Sequence, residues 1–194
     1  MGKIFCLMGK SSTGKDTIYR ELLKKGLGLT PIVPYTTRPI RIGEVEGREY
    51  HFTDEAGYHK LLEAGKVIEA RAYDTVHGIW RYFTVAEDSL DLEKQDYCLI
   101  GTVEAYVNLK KYFGDAKICP ILIDIDDGER LQRALTRERK QKQPKYEELC
   151  RRFLADCQDF AEEKLAIAGI QKRFYNHKLS DCIAEIESYI EAVR

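Results

Sequence analysis

The sequence predicts an α/β protein with a parallel central sheet covered by helices on both faces. Three observations carry that class. Strand-length apolar runs alternate with helix-period segments through all 194 residues, as parallel pairing with helical crossovers requires. The first apolar run ends in a glycine-rich turn that opens a helix. No repeat, low-complexity tract or Gly/Ser/Pro-rich linker divides the chain, and its five prolines are dispersed.

The elements follow in order. A strand is expected over 3–8, then the glycine-rich turn and a helix over about 17–25. An apolar strand at 29–34 leads into a polar stretch at 35–48, and 50–52 is extended. Thr53 is placed to cap a helix whose first turn carries Asp54 and Glu55 and which stops at Gly65. Segments 67–73 and 80–85 alternate well enough to form strands of a small sheet outside the main layer. The main sheet resumes at 97–100, with a helix near 103–113 and an apolar strand at 118–125. A helix runs from Asp127 to about Gln141, Pro144 breaks it, and a second covers 146–166. A short strand at 174–175 and a helix at 179–193 complete the chain.

Composition narrows the function. The chain has 31 Lys and Arg against 32 Asp and Glu, a formal charge of −1, which excludes the strongly basic footprint of a nucleic-acid tracker. With 44% hydrophobic residues it is expected to fold around one large or two small cores. Its longest apolar runs, such as 4–8 and 118–123, fall far short of the roughly 20 residues that span a bilayer. No signal-peptide core of usable length precedes Gly9-Lys10. The cysteines at positions 6, 98, 119, 150, 157 and 182 form no C-x-x-C pair, and no histidine is spaced with them for zinc. They are expected as free thiols in a reducing, cytoplasmic setting.

Two stretches carry chemistry. Gly9-Lys10-Ser11-Ser12-Thr13-Gly14-Lys15-Asp16-Thr17 follows an apolar strand and opens a helix. It fits G-x-x-x-x-G-K, with Asp16 at the final position where Ser or Thr is usual. Its glycines let successive N–H groups turn toward phosphate oxygens at a helix N-terminus, and Lys15 would reach the transferring phosphoryl group. Asp16, with the Thr17 hydroxyl beside it, offers oxygen ligands to Mg²⁺. The second stretch runs from Thr36-Thr37-Arg38-Pro39 through Arg41, Gly43-Glu44 and Gly47 to Tyr50-His51-Phe52. Two arginines three apart, stiffened by Pro39 and joined by a tyrosine hydroxyl, can clamp an anion.

This second stretch closely resembles the nucleotide-monophosphate-binding segment of guanylate kinases, T-T-R-x-P-R-x-G-E-x-x-G-x-x-Y-x-F. The resemblance implies a P-loop kinase three-layer fold, with a small inserted acceptor-binding domain and a helical lid. Along this chain it implies a single such domain over 1–194, with core 1–34, 86–129 and 153–194, acceptor-binding part 35–85 and lid 130–152. It implies transfer of the γ-phosphoryl of ATP to GMP or dGMP with Mg²⁺. Gly9, Ser11, Ser12, Thr13, Gly14, Lys15, Asp16 and Thr17 would bind ATP, and Asp16 and Thr17 the metal. Arg38, Arg41 and Tyr50 would hold the acceptor phosphate. Glu69 falls where the family accepts from the guanine ring, and Tyr82 and Thr84 resemble a Tyr-Gly-Ser/Thr pair touching phosphate and base. Arg130, Arg133 and Arg137 share one face of a helix. Arg133 and Arg137, with Arg152 from the pair Arg151-Arg152, resemble the family's lid arginines, which neutralise phosphoryl charge. Asn176 resembles an asparagine set against adenine.

Three departures concern the acceptor. Pro34 and Tyr35 occupy the region of a family serine. The segment from Leu99 to Ala105 lacks the family's base-reading aspartate, with Glu104 the nearest acid. The segment between Tyr73 and Tyr82 is longer than usual and carries Asp74, His77 and Trp80. A site that reads a base by buried hydrogen bonds discriminates strongly, so these departures touch the substrate more than the reaction. Another phosphorylated acceptor is the alternative enzyme reading, and a non-catalytic protein-binding scaffold is the reading from a different class. The expected partners are small-molecule nucleotides, with no nucleic acid and no membrane, for a monomer or homodimer.

Overall fold

The computed structural model describes residues 2–41, 43–75 and 78–194, and it has the α/β architecture expected. In chain order the strands are β1 (Ile4–Met8), β2 (Leu29–Pro31), β3 (Tyr35–Thr36), β4 (His51–Phe52), β5 (Val67–Thr75), β6 (Gly78–Val85), β7 (Asp96–Ile100), β8 (Ile118–Asp124) and β9 (Arg173–Tyr175). The α-helices are α1 (Lys15–Lys24), α2 (Glu55–Glu63), α3 (Val103–Phe113), α4 (Asp127–Glu138), α5 (Tyr146–Asp159), α6 (Glu162–Ile167) and α7 (Leu179–Val193).

A five-stranded sheet has the order β2-β7-β1-β8-β9, with parallel pairing throughout. Its central strand β1 is buried at every position, the signature of a parallel strand covered on both faces. Because successive side chains alternate, Ile4, Cys6 and Met8 pack with Val103, Tyr106 and Leu109 of α3. Phe5 and Leu7 pack with Ile18 and Leu22 of α1 and Ile183, Ile186 and Ile190 of α7. Each such large apolar side chain contributes about 1.5–3 kcal/mol when fully buried. The strand order changes direction at β1, so the loops at the carboxyl ends of β1 and β7 form a crevice suited to a ligand.

A second sheet, β4-β3-β6-β5, lies outside the first. Pairing within it is antiparallel except for β3 with β4. Its outer face packs Phe83 and Val85 against Tyr58 of α2.

Several expected boundaries move. The helix at 55–63 is capped by Asp54, whose Oδ1 accepts the Gly57 N–H at 2.7 Å, and not by Thr53. The strand at 29–34 stops at Pro31, although the Ile32 N–H still donates to the Cys98 carbonyl at 2.9 Å. The single helix expected over 146–166 is two, because Phe160 leaves the helical path to bury itself in the core and Ala161 turns extended. Between α4 and α5, the buried Glu138 carboxylate accepts the Lys145 N–H at 2.6 Å and the Gln141 side chain at 2.9 Å. That carboxylate closes the turn that Pro144 announces. The six cysteines are all free thiols.

Candidate active site

The loop between β1 and α1 is shaped by two glycines. Gly14 caps α1 in the left-handed region, φ +95°, where a side chain is strained. A Cβ at Gly9 would stand 2.5 Å from the Ile123 carbonyl oxygen, so only glycine lets β8 pass this closely. Ser12, at φ +68°, is a non-glycine residue held in the left-handed region, the kind of local strain that collects at ligand clamps. The intrahelical ladder begins with Thr17 and Ile18 donating to the Gly14 carbonyl, both at 3.0 Å. The N–H groups of Lys15 and Asp16 therefore precede it, at the positive end of the helix dipole.

Other elements hold this loop from both sides. Asn176, at the end of β9, is buried and donates through Nδ2 to the Thr13 carbonyl at 2.7 Å. It is neither a solvated turn residue nor a free side chain. From α5, Asp156 accepts the Ser11 N–H at 2.8 Å and Arg130 Nη1 at 3.1 Å. Arg130 is 1% exposed, donates to Asp127 at 2.8 Å and lies with Cζ 3.9 Å from the Phe153 ring centroid. Lys10 bonds to the same Asp127 at 3.1 Å. Burial opposes ionisation of Asp127, but its hydrogen bonds from Arg130 and Lys10 hold its carboxyl below the usual range.

The expected arginine stripe on α4 thus divides. Arg130 is a packed core residue. Arg133 donates to the Asn176 carbonyl at 3.0 Å, and Arg137 donates to Ser12 Oγ at 3.3 Å. Arg137 and Arg152 line a narrow cleft with Ser11 and Ser12. Arg151 points to Glu148 instead, at 2.7 and 2.8 Å. Lys15 approaches Asp16 at 3.9 Å, with Asp16 largely exposed. Among the described residues no cluster of three or more His, Cys, Asp or Glu could hold a metal. The exposed Asp16 carboxylate and the neighbouring Thr17 hydroxyl are the oxygen groups there that could hold Mg²⁺.

Of the residues expected to bind an acceptor, Glu69, Thr84, Tyr82, Tyr50 and Arg38 gather on one face of the second sheet. Register places Glu69 opposite Thr84, Arg71 opposite Tyr82, and Tyr82 opposite Thr36. A register shift between Val67 and Glu69 is decisive. Val67 packs with the outer cluster, and strict alternation would send Glu69 there too; the irregularity turns it to the inner face. Glu69 is buried, not solvent-facing, and its Oε1 accepts the Thr84 hydroxyl at 2.7 Å. Tyr82 is half-buried and stands edge-on to Tyr50, centroids 5.6 Å apart.

Arg38 is 3% exposed, and its guanidinium is taken up by a two-pronged pair with Glu44 at 2.8 and 2.7 Å. That pair holds the Glu44 carboxyl down to about 2 and raises Arg38 above its ordinary value. Its Cζ also lies 5.2 Å from the Tyr50 ring centroid and 5.6 Å from that of Phe52. Arg41 is exposed, and only its backbone N–H touches Glu44, at 2.8 Å. Pro39 stands one residue ahead of the family pattern's proline, with Ile40 in that place. Tyr35 faces outward, its hydroxyl on Glu87 at 2.9 Å and its ring stacked on Phe83. It takes no part in the inner face. His77 lies outside the described residues.

The two halves face each other. Burial raises the Tyr50 hydroxyl above its ordinary range and Tyr82 adds to the rise; Arg38 and Arg71 oppose it, and the Asp16 carboxylate acts there too. Arg71 Nη1 donates to Thr102 Oγ1 at 3.1 Å, anchoring β5 at the start of α3 beyond the carboxyl end of β7. Sequence reading passed over Arg71, Thr102 and Asp156. Alternation along β5 puts Arg71 beside Glu69, but the other two become visible only through their partners.

The family model for guanylate kinase matches residues 1–192. The chain belongs to the guanylate kinase family. Guanylate kinase of Rhodopseudomonas palustris (strain HaA2) is 41% identical over 78 residues, 40% of this chain and 36% of that one. Guanylate kinase of Wolbachia sp. subsp. Brugia malayi (strain TRS) is 37% identical over 83 residues, 42% of this chain and 43% of that one. The chain thus matches less than half the length of these relatives. The crystal structure of guanylate kinase from Anaplasma phagocytophilum shares the fold, with a TM-score of 0.68 at 20% identity over 98% of this chain and 85% of that one. Within the described residues, no helix of this family member is long and apolar enough to cross a membrane.

Proposed function

We propose that this member of the guanylate kinase family transfers the γ-phosphoryl group of ATP to a nucleoside monophosphate, GMP or dGMP foremost. The observation that carries the reading is the inner face of the second sheet. It brings Glu69, Thr84, Tyr82, Tyr50 and Arg38 together, anchored through Arg71 and Thr102 beside the crevice into which the loop at 9–17 opens. Lys15 and the amides at the start of α1 would seat the phosphates of ATP. Arg137 and Arg152 would offset charge on the moving group, and Arg133 with Asn176 would fix the loop that presents it. Mg²⁺ bound with the nucleotide, on Asp16 and Thr17, would screen phosphate charge. In-line transfer needs no covalent intermediate, so positioning does most of the work. Segment 35–85 would serve as the acceptor-binding part and 130–152 as the lid.

The test is a coupled ADP-release screen with ATP and Mg²⁺ against the common nucleoside monophosphates and several sugar phosphates. Lys15→Ala, which removes a lysine outside the buried core, should leave the fold intact and lower turnover by on the order of 10²-fold or more. Turnover of a sugar phosphate alone would move the reading to another acceptor. No turnover of any acceptor would return the chain to the scaffold reading.

A further inference from the structure

Among the described residues Ser12 is the single non-glycine position with positive φ, at +68°. It is the third residue of a turn in which the Thr13 N–H and hydroxyl both donate to the Lys10 carbonyl, at 3.4 and 2.9 Å. Positive φ at that place is normally supplied by glycine or asparagine, because a Cβ makes it costly. Such strain persists only where the surroundings over-determine it.

Both neighbours of Ser12 are pinned by elements remote in sequence. On one side the Ser11 N–H is held by Asp156 Oδ2 of α5 at 2.8 Å, and the buried Arg130 fixes that same oxygen at 3.1 Å. On the other side the Thr13 carbonyl is held by the buried Asn176, through Nδ2, at 2.7 Å. With both flanks fixed, Ser12 closes the turn by taking the left-handed conformation. Freed at the Ser11 end, it would relax to negative φ and swing its own N–H round with the adjoining peptide plane.

That N–H belongs to a set. The backbone N–H groups of Ser12, Gly14, Lys15 and Asp16 have no acceptor among the described residues. They stand together at the start of α1, where the helix dipole favours an anion. We propose that Asp156 is a positioning residue for the phosphate loop: it holds Ser12 in its strained conformation, so that these amides are arrayed for the donor phosphates before nucleotide arrives. The strain is then met in folding and is not met again on binding, which is preorganisation. This rests on the reading of the loop as the ATP site and adds a residue that acts on it through Ser12.

The experiment measures Mg·ATP affinity by calorimetry, without acceptor, for Asp156→Ala in two backgrounds, wild type and Ser12→Gly. In the wild-type background Asp156→Ala should weaken ATP binding about tenfold or more, since the ligand must now impose the strain itself. In the Ser12→Gly background the same change should weaken it by less than about threefold, because glycine takes positive φ without strain. A merely structural role for Asp156, as the partner of Arg130, would weaken binding equally in both backgrounds. That result overturns the proposal, as does unchanged affinity in Asp156→Ala alone. If Asp156→Ala leaves Arg130 unpaired and does not fold, Asp156→Ala joined with Arg130→Met removes both charges and is read in the same two backgrounds. A wild type that binds no Mg·ATP ends the kinase reading by itself. The ligand-free crystal structure of the Asp156 variant then decides whether Asp156 sets the loop: negative φ at Ser12 supports it, and a retained positive φ overturns it.

Discussion

One carboxylate oxygen of Asp156 receives the Ser11 backbone N–H at 2.8 Å, so a helix remote in sequence grips the loop that begins at Gly9. The same oxygen receives Arg130 Nη1 at 3.1 Å, and Arg130 has almost no solvent to fall back on. Removing one partner of a buried charge pair costs more than the pair contributes, because the other charge stays behind. Asp156→Ala is expected to destabilise the protein by about 3 kcal/mol. Asp156→Asn, which keeps an acceptor for Ser11, should cost less. Urea denaturation measures both. A loss below about 0.5 kcal/mol in the alanine variant, the usual range for inert surface changes, would show that the grip carries no weight.

Arg38 and Arg41, both proposed to bind the acceptor, should separate by phenotype. Arg38→Ala strips a buried guanidinium from Glu44, Tyr50 and Phe52, so it should lower stability by about 3 kcal/mol as well as weaken acceptor binding. Arg41 is exposed, and Arg41→Ala should leave stability within about 0.5 kcal/mol. Its acceptor binding should weaken by about 1.5–3 kcal/mol, as for a lost charge-assisted contact. Thermal melts paired with acceptor KM values decide this. Equal melting losses in the two variants would contradict it.

Gly14 has neither the backbone freedom nor the space for a side chain. A Cβ there would lie 2.4 Å from Asn176 Nδ2, at φ +95°. Gly14→Ala should therefore displace Asn176 from the Thr13 carbonyl and strain the cap by about 1–2 kcal/mol. ATP affinity measured by calorimetry should fall about tenfold or more. Wild-type affinity in this variant would mean that the loop tolerates another path.

Acid should weaken the Arg38–Glu44 pair. The Arg38 hydrogen bonds hold Glu44 at about 2, below its ordinary 4.5. A folded-state value below the unfolded one adds stability above the unfolded value and loses it as pH falls toward the folded one. The stability advantage of wild type over Glu44→Gln should thus be complete above pH 4.5 and shrink as pH drops toward 2. Trp80, the one tryptophan in the sequence, lies on β6 and offers a fluorescence probe. A constant difference across that window would remove the linkage.

Much of the fold was legible because its causes are local. An unbroken apolar strand such as β1 reads as a buried parallel strand, and Gly9 and Gly14 mark the loop that follows. The capping residue of α2 was misassigned because Thr53 and Asp54 are both capable caps, and only backbone geometry selects between them. Helix 146–166 read as continuous because nothing in its spacing says that Phe160 packs better in the core than along the helix. Arg130 looked like one of three equal arginines because periodicity gives a face, not the partners waiting on it.

The sequence by itself determined the class, the glycine-shaped loop and the arginine-rich segment, since these depend on residue type and short spacings. Tertiary structure alone decided which groups are free to meet a ligand. Glu69 turns inward because β5 departs from regular register, and Arg71 reaches it because both share a face anchored on Thr102. Arg38 is committed to Glu44, and Arg130 to Asp127 and Asp156. A charge acquires its role from the partner and the water left around it, and both are set by residues far apart along the chain.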